Sequence, residues 1–328
     1  HVELVNRDPC AAADGVDQQP NKRFYQRGFM LNFKTPELED KNWISECYSY
    51  AHSMNCEYTF GNIYLWRAAY KSLVAHYDGF VICRWGSNHD FKYSLPIGRG
   101  DFRQAVQAII SDAVSAGVTP RIYGVTESYK AVLDSDFPGR FSYEYDDGNN
   151  DYIYHVEDLA SLSGKKYHSK RNHISNFIKN HPDWSYEDIT AQNISECIDL
   201  HTNWIENRND SESDTDYSLE FEAVLSGFES YAEIGFQGGL IRVNHKPIAY
   251  TYGERLSEHC FVTHFEKAPA DMQGAYAIIN REFAKRLKDS GFVYVNREED
   301  MGLPGLRKAK QSYKPAIWLE KETAVYHG

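Results

Sequence analysis

The residues best suited to chemistry lie in the last third of the chain. His264 and Glu266 sit two apart in a stretch of extended character, so both side chains fall on one strand face. A carboxylate or imidazole placed there could deprotonate an acceptor, and a phenol such as Tyr252, or Tyr250 beside it, could return the proton. Gly274 and Ala275 open the next helical segment, where free N–H groups and the helix dipole favour an anion. Asn296 to Asp300, followed by Gly302 to Arg307, forms the densest polar cluster after a strand. Arg307 and Lys310 stand one helical turn apart and could hold a phosphate together. Arg297 adds a third cation. Glu298, Glu299 and Asp300 would either bind an amino group or pair internally with Arg297, Arg307 and Lys308.

A second basic group lies earlier. Ser161 to Pro182 carries Lys165, Lys166, Lys170, Arg171 and Lys179 with three histidines and no acid. Interleaved with Tyr167, His168 and His173, these cations suit phosphate contact plus base stacking, as an RNA end requires. A solvated amphipathic linker helix is the competing reading. The chain's net charge of −12 is local in origin. Pro182 to Gly235 holds fourteen acidic residues against Arg208, a segment charge of −13 that leaves the remainder near neutral. No Ser/His/Asp order, Walker loop or metal-spaced histidine set occurs, so covalent, metal and cofactor chemistry have no support in the residues. Six scattered cysteines read as reduced, mostly buried thiols of a cytoplasmic protein.

The elements that must position these residues alternate. Composition is that of a globular chain, 42% hydrophobic and 25% charged, and no run approaches the ~20 apolar residues that cross a bilayer. Residues 1–29 lack either periodicity and read as a leader or vector-derived segment without order. From there the patterns predict a helix over 60–71, a hairpin at 73–85 turning on Asp78-Gly79, and a strand at 93–97. A helix over 102–116 capped by Asp101, a strand at 121–125, a helix over 126–133 and strands near 141–145 and 152–156 follow. The second half reads as helices over 167–180, 194–207 and 218–233, then a meander at 236–243, 248–254 and 260–266. A helix over 274–288, a strand at 292–296, a helix near 303–311 and a strand at 316–320 end it.

Meander, glycine-opened helix, strand, helix, strand is the order of the GNAT acyltransferase fold. The first half follows the plan more loosely. The expected fold is α/β (α+β), two tandem GNAT-like domains with mixed, mainly antiparallel sheets. Their expected bounds are 30–157 and 158–328, the second beginning with the basic linking helix. In such folds the position of Glu266 faces the splayed cleft. The acetyl-CoA loop reads Gln/Arg-x-x-Gly-x-Gly/Ala; aligned on Gly274, Asp271 and Tyr276 replace the cation and the last small residue, which disfavours acetyl-CoA.

Thr59-Phe60-Gly61-Asn62-Ile63-Tyr64-Leu65-Trp66-Arg67, Asp151-Tyr152-Ile153-Tyr154, and Gly164 through His173 carry a wider resemblance. So do Gly274-Ala275-Tyr276, Asn296-Arg297-Glu298-Glu299-Asp300 and Gly305-Leu306-Arg307-Lys308-Ala309-Lys310. In this order they resemble the phosphatidylglycerol lysyltransferase C-terminal domain family, related to Fem-type aminoacyl transferases. The resemblance implies transfer of an amino acid from aminoacyl-tRNA, as co-substrate, to a lipid head group. This sequence contains no transmembrane flippase region such as the lipid-modifying members carry, so a small-molecule amine or hydroxyl acceptor stands beside the lipid one, with peripheral membrane contact. Two alternatives are an acyl-CoA-dependent N-acyltransferase and a non-catalytic ligand-binding module.

Overall fold

Turn chemistry shapes both sheets of the computed structural model, which describes residues 30–87, 90–206 and 214–328. The expected leader, 1–29, lies outside the described residues, as does much of the acidic loop at 209–216. After α1 (Lys41–Tyr48) and α2 (Phe60–Leu65), Asp78 and Gly79 take left-handed φ values of 45° and 82°. They join β1 (Leu73–Tyr77) to β2 (Phe80–Ser87) as the two-residue hairpin expected of that pair. The chain continues through β3 (Asp90–Ser94), β4 (Ile97–Gly98), α3 (Phe102–Ser115), β5 (Arg121–Val125), α4 (Glu127–Asp136) and β6 (Phe141–Tyr145). Asp101 caps α3 by accepting from the Gln104 amide at 3.0 Å.

The second half runs β7 (Asp151–His155), α5 (Val156–Ser161), the basic helix α6 (His168–Asn180), β8 (Ser185–Asp188), α7 (Ile194–Glu206), α8 (Asp214–Glu229) and α9 (Tyr231–Ile234). The meander is β9 (Gln237–Val243), β10 (Lys246–Arg255) and β11 (Cys260–Lys267), with Asn244 and His245 left-handed in its first turn. Then come α10 (Ala275–Asp289), β12 (Tyr294–Asn296), α11 (Pro304–Gln311), β13 (Ile317–Leu319) and β14 (Glu322–Tyr326).

The strands pair across the expected boundary at residue 157. The first sheet has the order β1-β2-β3-β5-β14-β6, with β4 on β2; the second is β13-β7-β12-β11-β10-β9-β8. So β7 leaves the first half to lie between β12 and β13, and the C-terminal β14 enters the first sheet between β5 and β6. A cut at 157 would sever each sheet from one of its strands. Among the described residues each sheet contains one parallel pair, β3–β5 and β11–β12, and is otherwise antiparallel.

Two cores result. One lies under α5, α6 and α10, built on Tyr154, Phe177, Phe261 and Phe283. The other crosses between halves, joining Val74, Val81 and Ile109 to Phe228, Tyr250, Tyr252 and Phe265. Cys47, Cys56, Cys83, Cys197 and Cys260 are free and buried.

Candidate active site

A cavity of about 450 Å³ opens between the two halves. Its first-half wall is aromatic, with Tyr48, Tyr58, Trp66, Trp85 and Tyr123; its second-half wall is the loop from Glu298 to Gly302. Thr59 starts α2 on this wall by accepting from the Asn62 amide at 3.3 Å. The Asn296 side chain ties the walls together, donating to the Met54 carbonyl at 2.7 Å and to Asp151 at 2.8 Å. Asp151 in turn accepts from the Cys56 amide at 2.8 Å.

Behind the lining carboxylate Glu299 lies a buried charge cluster. Lys321 is fully buried, bonded to Asp151 at 2.8 Å and to Glu299, which also accepts from the Tyr123 hydroxyl at 3.1 Å. Burial opposes the Lys321 charge, yet Asp151, Cys56 and Glu299 hold its pKa well above the ordinary lysine value. Donor atoms of Cys56, Asp151 and Glu299 lie within 4.8 Å of one another, but the ammonium of Lys321 already serves as their cation. Glu57, lining the same cavity, has its pKa raised to about 8, by burial first and then by Glu299 and Asp151 against the opposing pull of Lys321. Lys92 also lines this cavity, so Glu57, Glu298 and Glu299 share it with one lining cation among the described residues.

Beside the cavity, His264 lies between two carboxylates, with Nδ1 2.7 Å from Glu298 and Nε2 2.9 Å from Glu254. Burial would lower its pKa, but Glu254 and Glu298 raise it to about 9. His264 is therefore an imidazolium, not the free base expected. Glu266 does share its region, yet both its oxygens are engaged, by Arg297 Nη2 at 2.8 Å and Asn280 Nδ2 at 3.2 Å. Tyr252 departs furthest from expectation. It is wholly buried in the core between halves, donates to the Val224 carbonyl at 3.1 Å, and burial drives its pKa far up, so it cannot return protons to a cleft. Tyr250 is likewise buried, with its hydroxyl 2.9 Å from His201 Nδ1.

The expected phosphate holders divide. Arg307 pairs with Asp300 at 2.7 Å and Asp147 at 2.8 Å, the internal network rather than a free clamp. Lys310 is buried and donates to the backbone carbonyls of Arg297 and Glu299, fixing the loop rather than a ligand. Gly274 begins α10 with φ of 92°, and a Cβ there would lie 2.4 Å from the His173 carbonyl oxygen, so α6 covers the start of α10. Ala275 is fully buried in the core below. Glu299 faces the cavity through its pair with Lys321, and Arg297 sits over the rings of Tyr154 and Tyr313.

On and just before α6, Lys165 is exposed and Lys166 pairs with Asp158 at 2.9 Å. His168 is exposed, 3.1 Å from the Asn172 side chain, while Arg171 caps the carbonyls of Leu162 and Gly164. Lys170 turns inward over the Tyr313 ring, 3.8 Å from its centroid.

Sequence reasoning missed Glu57, Asp151 and Lys321 as site residues; the 24 tyrosines made a tyrosine-lined cleft plausible without saying which of them would line it. Asp151 lies in a segment that carries the family resemblance, and that was the available signal. Glu57 and Lys321 are isolated charges whose neighbours come from distant segments.

The family model described as phosphatidylglycerol lysyltransferase, C-terminal, matches residues 49–325. An uncharacterized protein of Mycoplasmoides gallisepticum is 24% identical over 188 residues, 53% of this chain; the chain thus spans 56% of that relative's length. A conserved protein of unknown function from Bacteroides thetaiotaomicron superimposes with a TM-score of 0.84 at 36% identity, covering 91% of this chain and all of that one. The C-terminal domain of a putative lysylphosphatidylglycerol synthetase from Agrobacterium fabrum gives a TM-score of 0.63 at 14% identity, over 88% of this chain and 92% of its own. FemX shares the fold, with a TM-score of 0.58 at 8% identity over 90% of this chain and 98% of its own. The architecture is the tandem GNAT one.

Proposed function

Because this chain belongs to the phosphatidylglycerol lysyltransferase C-terminal family, we propose that it is a GNAT-type aminoacyltransferase. It moves an aminoacyl group from aminoacyl-tRNA to an amine or hydroxyl on a lipid head group or small molecule. The observation that carries this reading is the cavity between the halves, aromatic on one wall and lined by the carboxylates Glu57, Glu298 and Glu299 with Lys92 as its lining cation. An aminoacyl group brings an ammonium. Glu57 and Glu299 would hold it, with the rings of Trp66, Trp85 and Tyr123 adding cation–π attraction.

In the reaction the acceptor nucleophile attacks the ester carbonyl carbon, the bond to the terminal ribose oxygen breaks, and that oxygen leaves with a proton. The ester is already activated, so a weak base suffices. Glu298 lines the cavity and is the carboxylate proposed to receive the nucleophile's proton and hand it to the leaving oxygen. His264 and Glu254 act behind it as positioning residues, holding the Glu298 carboxylate in one orientation. The exposed Lys165 and His168, with Lys166 once released from Asp158, would meet the tRNA acceptor end. Acyl-CoA is the weaker donor, since a pyrophosphate at the start of α10 would have to displace the His173 carbonyl.

The test is incubation with a radiolabelled aminoacyl-tRNA pool and cell extract. Label should leave tRNA for an extractable acceptor, and Glu57→Gln should slow this at least tenfold. Label lost only at the rate of buffer hydrolysis, whatever acceptor is supplied, would sink the reading.

A further inference from the structure

Among the described residues, five charged side chains line the cavity between the halves: Glu57, Lys92, Asp146, Glu298 and Glu299. Three of them have partners within the protein. Asp146 accepts from the Gly148 amide at 2.9 Å, Glu298 meets His264 at 2.7 Å, and Glu299 is bonded to Lys321. The other two stand alone: Lys92 makes no ion pair among the described residues, and Glu57 feels the Lys321 charge without pairing with it. A charge held in a partly buried cavity without a counter-charge costs free energy, which a ligand of opposite sign offsets. Glu57 and Lys92 differ in sign, so their complement carries both an ammonium and an anionic group.

The first sheet sets how far apart those two groups of the ligand stand. Lys92 and Ser94 lie on the face of β3 that lines the cavity, and Trp85 of β2 is directly across from Lys92. Ser94 pairs with Tyr123 of β5, whose hydroxyl donates to Glu299 at 3.1 Å. Lys92 is therefore two residues along β3, about 7 Å, from the row that reaches Glu299. Ser94 is buried whereas Lys92 and Trp85 are half-buried, so Lys92 stands outward of that row.

An aminoacyl ester keeps its α-ammonium, but its α-carboxylate is tied up in the ester, so the anionic group must come from elsewhere on the ligand. A side-chain carboxylate hangs from the same α-carbon as the ammonium and stays close to it. The nearest phosphate of the terminal nucleotide lies beyond the ester and a whole ribose. Resting on the aminoacyl-transfer reading, we propose that Lys92 selects the side chain of the transferred group, and that this group is acidic, aspartyl or glutamyl. The α-ammonium sits between Glu57 and Glu299, and the side-chain carboxylate accepts from Lys92 Nζ. A lysyl side chain would set a second cation against Lys92 and is disfavoured, so the chain differs here from the amino acid by which its family is described.

Tryptophan fluorescence of the full chain tests it, because Trp66 and Trp85 both line the cavity. The probes are the α-methyl esters of aspartate, glutamate, alanine and lysine, each an aminoacyl ester without its nucleotide, and adenosine monophosphate. The better of the two acidic esters should bind roughly tenfold more tightly than the alanyl ester, the worth of one charge-assisted hydrogen bond, and the lysyl ester should bind most weakly. Lys92→Met keeps the stem without the charge and should erase the preference for the acidic esters, with Lys92→Arg restoring most of it. Equal binding of acidic and alanyl esters, tighter binding of the lysyl ester, or binding of adenosine monophosphate that Lys92→Met abolishes would each overturn the proposal. So would preferential transfer of a lysyl or neutral label from the tRNA pool, which would leave the transfer reading intact. Lys92-dependent binding of the acidic esters with no transfer from any aminoacyl-tRNA would leave Lys92's selectivity standing and count against the transfer reading alone.

Discussion

At His264 two carboxylates decide the protonation state, and that choice is written into the pH dependence of folding. Its pKa is raised from 6.5 to about 9, so its stabilisation is complete below pH 6.5 and fades as pH climbs through 9. Glu57, raised from 4.5 to about 8, acts in the same sense, its contribution fading from pH 4.5 up to 8. Lys170 and Lys310, lowered from 10.5 to about 8 chiefly by burial, act oppositely, adding stability as pH rises from 8 to 10.5. His201, lowered to about 4, changes stability between pH 4 and 6.5 and is silent above. Between pH 6.5 and 8, then, His264 and Glu57 dominate. Denaturant unfolding should show stability falling by about 3 kcal/mol across that window. Glu57→Gln should remove roughly half the slope, and a flat profile would contradict the assigned protonation states. The reason sequence reading cannot reach this is partner choice. His264, Glu266 and Arg297 are visible as chemical groups, but Glu254, Asn280 and Lys170 reach them from β10, α10 and α6, and no spacing reports such meetings.

Elements were more legible than partners because their signals are local. The Asp78-Gly79 turn, the Asp101 cap and the meander all stand where the pattern puts them. The shortfalls are short or weakly patterned pieces: α1, α5, the four-residue β8 inside the acidic segment, and β14. Gly274 illustrates what a local signal conceals. Its role as a helix opener is readable, whereas the passage of the α6 backbone across it is not. With φ of 92° and a Cβ position 2.4 Å from a carbonyl oxygen, Gly274→Ala should destabilise the fold by about 2 kcal/mol in denaturant unfolding. Gly305→Ala in α11, where a Cβ meets nothing within 4 Å, is the matched control and should be neutral or slightly stabilising. Equal effects at the two glycines would mean that α6 is not seated firmly on α10.

For the whole molecule the decisive feature is that each half supplies a strand to the other. β7 completes the second sheet and β14 the first, and the core around Phe228, Tyr250 and Tyr252 contains residues from both. A tandem repeat read from sequence suggests two units joined by a linker, but the exchange makes one cooperative unit. It also explains why the cavity can be built between halves: Asp151 at the start of β7 meets Lys321 just before β14, and both strands are held in the other half's sheet. Cutting the chain before Gly164, an exposed residue ahead of α6, would leave α5 with β7 and separate the exchanged strands. Expressed alone, 30–163 carries an unpaired β7 and 164–328 an unpaired β14, each beside an uncovered apolar face. Neither should unfold cooperatively by circular dichroism. Co-expressed, the two should elute as a 1:1 complex with a single unfolding transition, since the cut removes no pairing. A cooperative transition from 164–328 alone would show that the halves are autonomous, and that the exchanged strands contribute little to either.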